Sequence, residues 1–76
     1  MNHRADFIIH IDEELSDTQL DAIERDLIDT PGVYSACVNA KHRHLMLVDY
    51  DPDLTSSGLL HNRVRSHGVH SELAGL

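Results

Sequence analysis

Seventy-six residues with thirteen acids against six Lys+Arg, a formal net charge of −7, 41% apolar residues, one Cys and seven His describe a single small acidic domain spanning residues 1–76. A chain of this size holds roughly 3–5 kcal/mol of net stability, which favours two idealised layers or an oligomer over an irregular enzyme with a deep cleft. The lone Cys37 excludes an internal disulfide and a four-thiolate zinc site, no apolar run approaches the roughly 18 residues of a membrane span, and six scattered cations offer nucleic-acid phosphates no basic patch.

Residues 1–14, MNHRADFIIHIDEE, have neither the apolar middle nor the small-residue cleavage site of a signal peptide, so a soluble cytoplasmic protein is expected. Within them, residues 5–11 set Phe7, Ile9 and Ile11 alternately against Asp6, Ile8 and His10, the period of a strand with one buried face. Ser16 with Gln19 three residues later is a capping-box signature. A helix is expected from there to about Asp29, with Leu20, Ile23, Leu27 and Ile28 as its apolar stripe and Asp17, Asp21, Glu24, Arg25 and Asp26 toward water. Thr30-Pro31-Gly32 stops it, because proline cannot continue the hydrogen-bond ladder and disfavours helix in the residue before it.

Residues 33–40 and 45–51 read as two further strands joined by the polar turn Lys41-His42-Arg43-His44. Past Asp51-Pro52-Asp53, Thr55 or Ser56 caps a second helix carrying Leu60 and Val64, with Gly68 at its C′ position. Residues 69–74 complete a last strand. Strand, helix, strand, strand, helix, strand is the split βαβ order. It predicts an α+β, ferredoxin-like βαββαβ sandwich: a four-stranded antiparallel sheet in the order 4-1-3-2 with both helices on one face.

Four stretches carry a family resemblance. Pro31-Gly32-Val33, Val38-Asn39, Val48-Asp49-Tyr50-Asp51-Pro52 and His67-Gly68-Val69-His70-Ser71-Glu72-Leu73 follow the order and spacing of the Gly-Val, V-N, V-x-Y-D-P and A-G-Y-x-A-E-L stretches of the heavy-metal-associated domain. The sequence resembles that family of copper chaperones, mercuric-ion carriers and metal-pumping ATPases nearly end to end, which implies its fold and a metal-binding or delivery function. In the family, two thiolates of an M-x-C-x-x-C loop between the first strand and the first helix hold a soft ion such as Cu(I). By the family's spacing Glu14 stands at the Met, Ser16 at the first Cys and Gln19 at the second. That thiolate site does not carry over, and Cys37, in the second strand, is no substitute.

The histidines take its place as candidates. An unperturbed imidazole titrates near pH ~6.5, so seven of them, all protonated, would cancel the net charge. The implied topology gathers the Asp12-Glu13-Glu14 loop, His42 and His44 of the hairpin, and His67 and His70 at the one edge where the family holds its metal, with His10 one residue inside. Strand parity turns His10 and His70 to the open sheet face on neighbouring strands, where they are expected to stand directly opposed, Cβ atoms about 4.5–5.5 Å apart. Imidazoles so placed suit Zn, Ni, Co or Cu(II), with His44, Glu13 or a second subunit completing the coordination. Such binding fails below about pH 6 as the ligands protonate. The plainer readings are a helix-dipole partner for His67, solvated hairpin residues for His42 and His44, and no involvement for His61 or His3.

Parity also sends Ile8, Cys37, Leu45 and Leu47 to the open face, an apolar patch that marks an interface with a protein partner or a second copy. No Gly-rich phosphate loop, positioned nucleophile or arginine cradle is present, so no enzymatic activity is expected. The competing reading is a docking module that kept the scaffold and lost the metal loop, using the open face or the acidic first helix, where eight acids lie between Asp12 and Asp29.

Overall fold

The computed structural model describes residues 4–75; His3 lies outside them. Its elements are β1 (Ala5–Ile11), α1 (Asp17–Ile28), β2 (Val33–Val38), β3 (Leu45–Tyr50), α2 (Ser57–Arg65) and β4 (Ser71–Gly75). The strands form one antiparallel sheet in the order β2-β3-β1-β4, and the helices cover one of its faces, as the element pattern requires. Among the described residues no helix is long and apolar enough to cross a membrane.

Alternation makes β1 the centre of the core. Phe7, Ile9 and Ile11 are at most 1% exposed and pack with Met46 and Val48 of β3 under Leu20, Ile23 and Leu27 of α1 and Leu60 and Val64 of α2. Phe7 meets Tyr50 edge to face, ring centroids 5.5 Å apart. Ile28 is a correction to the expected stripe. It is half exposed, because the helix turns its last residue past the sheet after Leu27.

Loop chemistry trims the expected strands. The Asn39 side-chain carbonyl accepts the backbone N–H groups of Lys41 and His42 at 2.9 and 3.1 Å, so the chain turns after Val38 and the strand does not reach Ala40. Glu24 on α1 accepts the Val38 N–H at 2.9 Å, occupying a donor on the edge strand that would otherwise be open to another chain. Ser56, not Thr55, caps α2, its hydroxyl accepting the Leu59 N–H at 3.2 Å. The helix closes on Ser66, which places Gly68 one position beyond C′; its φ of +82° reverses the chain there.

The start of β4 differs most. His70 donates its N–H to both carboxylate oxygens of Glu13, at 2.9 and 3.1 Å, so ladder pairing begins only at Ser71 and not at Val69. Ile11 then faces Ser71 and His10 faces Glu72. The expected direct opposition of His10 and His70 is therefore corrected. A two-residue offset separates them by roughly 6.6 Å along the strands, and His70 lies just before β4.

Candidate functional site

The loop from Asp12 to Ser16 leads into a complete capping box. Ser16 Oγ accepts the Gln19 N–H at 3.2 Å, and Gln19 Oε1 accepts the Ser16 N–H at 2.9 Å. Both side chains are consumed in satisfying donors at the helix start. Arg43 reaches over from the hairpin, donating to the Leu15 carbonyl at 3.3 Å and pairing with Asp17. It helps line a cleft of about 220 Å³ with Glu13, Glu14, Leu15 and His44. Hard oxygen and amide donors beside a fixed guanidinium do not suit a soft cation.

The five edge histidines separate by partner. His44 directs Nδ1 at the Ile11 carbonyl, 2.7 Å away, while its ring stacks on His10 with centroids 6.0 Å apart and planes 19° from parallel. A carbonyl only accepts, so His44 Nδ1 carries the proton and Nε2 keeps its lone pair. His10 has Nδ1 3.3 Å from Asp12 Oδ1. Strand β1 thus supplies both the ring of His10 and the carbonyl that orients His44. With metal–nitrogen bonds of about 2.0–2.1 Å, two imidazoles sharing one tetrahedral ion have centroids roughly 5 Å apart, so the observed pair has to close by about 1 Å to share one.

His70 lies elsewhere on the edge, its Nδ1 2.8 Å from Glu13 Oε2. That side-chain hydrogen bond, followed by those of the His70 backbone, holds the Glu13 carboxyl below its ordinary range. His67 turns to the helices, with Nε2 2.9 Å from Asp26 Oδ2, and Arg63 pairs with the other oxygen of the same carboxylate. His42 stays exposed in the turn. Among the described residues no three His, Cys, Asp or Glu side chains form a group able to hold a metal ion.

The Asp26 cluster ties α1 to the end of α2. Burial works against the charge on Asp26, but hydrogen bonds from Arg63 and then His67 outweigh it and hold the carboxyl below its usual range. A depressed folded value means that the contribution is complete above the unfolded value, about 3.9, and lost as pH falls through the folded one. Asp26→Asn is expected to cost about 1 kcal/mol at pH 7, given solvent screening, and to flatten the loss of stability below about pH 4. Urea melts across that range check it.

A Ser–His contact is also present, with His61 Nε2 3.0 Å from both the carbonyl and the hydroxyl oxygen of Ser71. The carbonyl again requires that this nitrogen carry the proton, so it cannot take one from Ser71.

On the open face the register sets Leu47 between Ile8 and Cys37, with Leu45 beside His10. Leu47 is 46% exposed, Cys37 is exposed, and Ile8 and Leu45 are half-buried. A second apolar surface was not anticipated: Ile28, Leu54 and Leu59 are exposed at the far end of the helix layer, beside a cleft of about 320 Å³ lined by Pro31, Leu54, Leu59 and Arg63 among others. Leu59 stands off the stripe of Leu60 and Val64, a sequence signal that was available.

Neither a family model nor a curated protein matches the sequence. Solved structures do match the fold. The N-terminal domain of a potential copper-translocating P-type ATPase from Bacillus subtilis, in its Cu(I)-loaded state, superposes with a TM-score of 0.86 at 25% identity, over 96% of this chain and 90% of that one. The fold is that of the heavy-metal-associated domain. A copper binding domain from HMA7, a P-type ATPase, gives 0.83 at 18% identity over 96% of each chain. MerP from Ralstonia metallidurans gives 0.81 at 14% identity over 93% of this chain and 97% of that one. On this heavy-metal-associated scaffold the donor set at the first loop is a hydroxyl and an amide, both engaged in a helix cap, and it does not fit the soft ion that the family resemblance implies.

Proposed function

We propose that the protein is a small, non-catalytic, cytoplasmic metal-binding or delivery protein that takes Zn, Ni, Co or Cu(II) on the imidazoles of His10 and His44. One observation carries the reading. The two rings stand 6.0 Å apart, with His44 Nδ1 hydrogen-bonded to the Ile11 carbonyl and His10 Nδ1 3.3 Å from Asp12 Oδ1, and their Nε2 atoms are the nitrogens we assign to the ion. Glu13, His42, His67 and His70 are left as neighbours. Three of them are held by partners of their own or stand alone in the turn, and His67 serves the helix layer. The scaffold supports a metal-associated role, and imidazole replaces thiolate as the ligand.

Calorimetric titration with zinc and with nickel tests this. His10→Ala and His44→Ala are each expected to weaken binding at least tenfold, while His42→Ala and His67→Ala leave it unchanged. Wild-type affinity in a His10→Ala/His44→Ala variant would sink the reading.

A second reading is a metal-free docking module built on the same scaffold, favoured by the lack of a three-donor group among the described residues and by the exposed Leu47 and Cys37. No shift in melting temperature with any of the four ions at pH 7.5 supports it.

A further inference from the structure

The donor count at His10 and His44 leaves the site half built. Structural zinc takes four ligands almost without exception, and one chain brings two imidazoles. The carboxylates near them are committed: Asp12 to His10, Glu13 to the backbone and ring of His70, and Asp17 to Arg43. Two further donors must come from outside the chain.

We infer that the ion is shared by two copies of the chain stacked sheet to sheet, each contributing His10 and His44; this rests on the reading of those two imidazoles given above. The placement of the pair supports it. His10 lies opposite Leu45 on the two central strands, β1 and β3, and the next row on the same face is Cys37, Leu47 and Ile8. His10 is therefore continuous with the apolar patch of the open face, and His44, which lines the cleft at the sheet edge, joins it through its stack on His10.

Symmetry then selects one arrangement. A two-fold axis parallel to the strands, midway between stacked sheets, lays β1 of one copy over β3 of the other at the same height. Each His10 comes level with Leu45 of its mate, with His44 one residue beyond. Packed sheets stand about 10 Å apart, a gap that imidazoles from both sides, with an ion between them, can span. An axis across the strands through their middle would instead set His10 over the Arg4 end, where Asp49 is already bonded to Arg4 at 3.5 Å and to Ser35 at 3.2 Å. One passing through His10 would leave the Ile8, Leu47 and Cys37 row uncovered.

Area and charge make the contact depend on the ion. Four apolar side chains, two of them half-buried already, fall short of the roughly 1,200 Å² that a stable interface buries. Each chain carries a net charge of −7, which opposes association. A divalent cation at the seam offsets that repulsion locally and supplies directional bonds. Without it the chain is a monomer.

Sedimentation velocity of the full chain at tens of micromolar, with zinc chloride added and then chelated, reads this directly, alongside calorimetric stoichiometry. The expected result is a reversible change from monomer to dimer with one zinc per two chains. His44→Ala is expected to lose both the dimer and the zinc. Leu47→Asp, at an exposed position and checked for folding by circular dichroism, is expected to lose the dimer and bind zinc at least tenfold more weakly. One zinc per monomer, unaffected by Leu47→Asp, would overturn the shared site and leave the proposed function standing. A dimer that persists under chelation would overturn the bridging role. No zinc bound by the wild type would overturn the reading beneath it.

Discussion

Gly32→Ala is expected to unfold most of the protein, whereas Gly68→Ala is expected to lower its melting temperature by roughly 5–10 °C. Both glycines have positive φ, +95° and +82°, where an L side chain costs about 1–2 kcal/mol. They differ in what a Cβ would meet. At Gly32 it would lie 2.8 Å from Leu54 Cβ, the stem of that side chain, and 3.2 Å from the Cγ2 methyl of Thr55. At Gly68 nothing lies within 4 Å. Gly32 has little freedom to retreat, because its carbonyl accepts the Asp51 N–H at 2.6 Å and Thr55 is buried. Overpacking of this kind costs about 1–3 kcal/mol, which with the backbone strain matches the whole net stability expected of a domain this small. Urea and thermal melts of both variants check the contrast. Equal shifts would mean that the backbone at Leu54, whose side chain is 68% exposed, moves aside at no cost.

The fold was legible where a local period or a short-range hydrogen bond decides the outcome. Phe7, Ile9 and Ile11 alternate, and the strand faces follow. Ser16 and Gln19 are three residues apart, and the capping box closes within one turn. What the sequence left open was decided at long range. His70 gives its N–H to a carboxylate 57 residues away, which delays β4 by two residues. A two-residue slip leaves every side chain on its expected face, so strand parity could not detect it. The predicted His10–His70 opposition failed for that reason.

The candidate site shows the same division. Topology gathers histidines toward one edge, but which ring meets which depends on partners that no periodicity encodes. His44 is oriented by a backbone carbonyl, and His67 is drawn to the helices by an aspartate it shares with Arg63. Composition counted the imidazoles as equivalent. Hydrogen bonding makes them unequal, since a ring whose Nδ1 donates to a fixed oxygen has its Nε2 set for coordination, whereas one facing a carboxylate across the helix layer acts as a structural bridge.

Ser16→Cys with Gln19→Cys is expected to convert the first loop into a Cu(I) site, with affinity for that ion at least a hundredfold above either single variant. The backbone already has the required form: a C-x-x-C spacing at the start of α1, on a scaffold that superposes on a Cu(I)-loaded domain with a TM-score of 0.86. A helix N-terminus lowers thiol pKa, and the nearby Arg43 guanidinium favours the thiolate further. The substitution dismantles the cap, so the metal-free variant should be less stable by about 1–2 kcal/mol. Cu(I) at a hundred times its dissociation constant returns about 2.7 kcal/mol, more than the loss. Melting temperature should therefore fall without copper and rise above wild type with it. A competition titration against a Cu(I) chelator, run on the single and double variants, reads the affinity. Equal affinities would mean that the loop lost its metal through more than two side chains, with the Arg43–Asp17 pair occupying the ion's place as the next contact to remove.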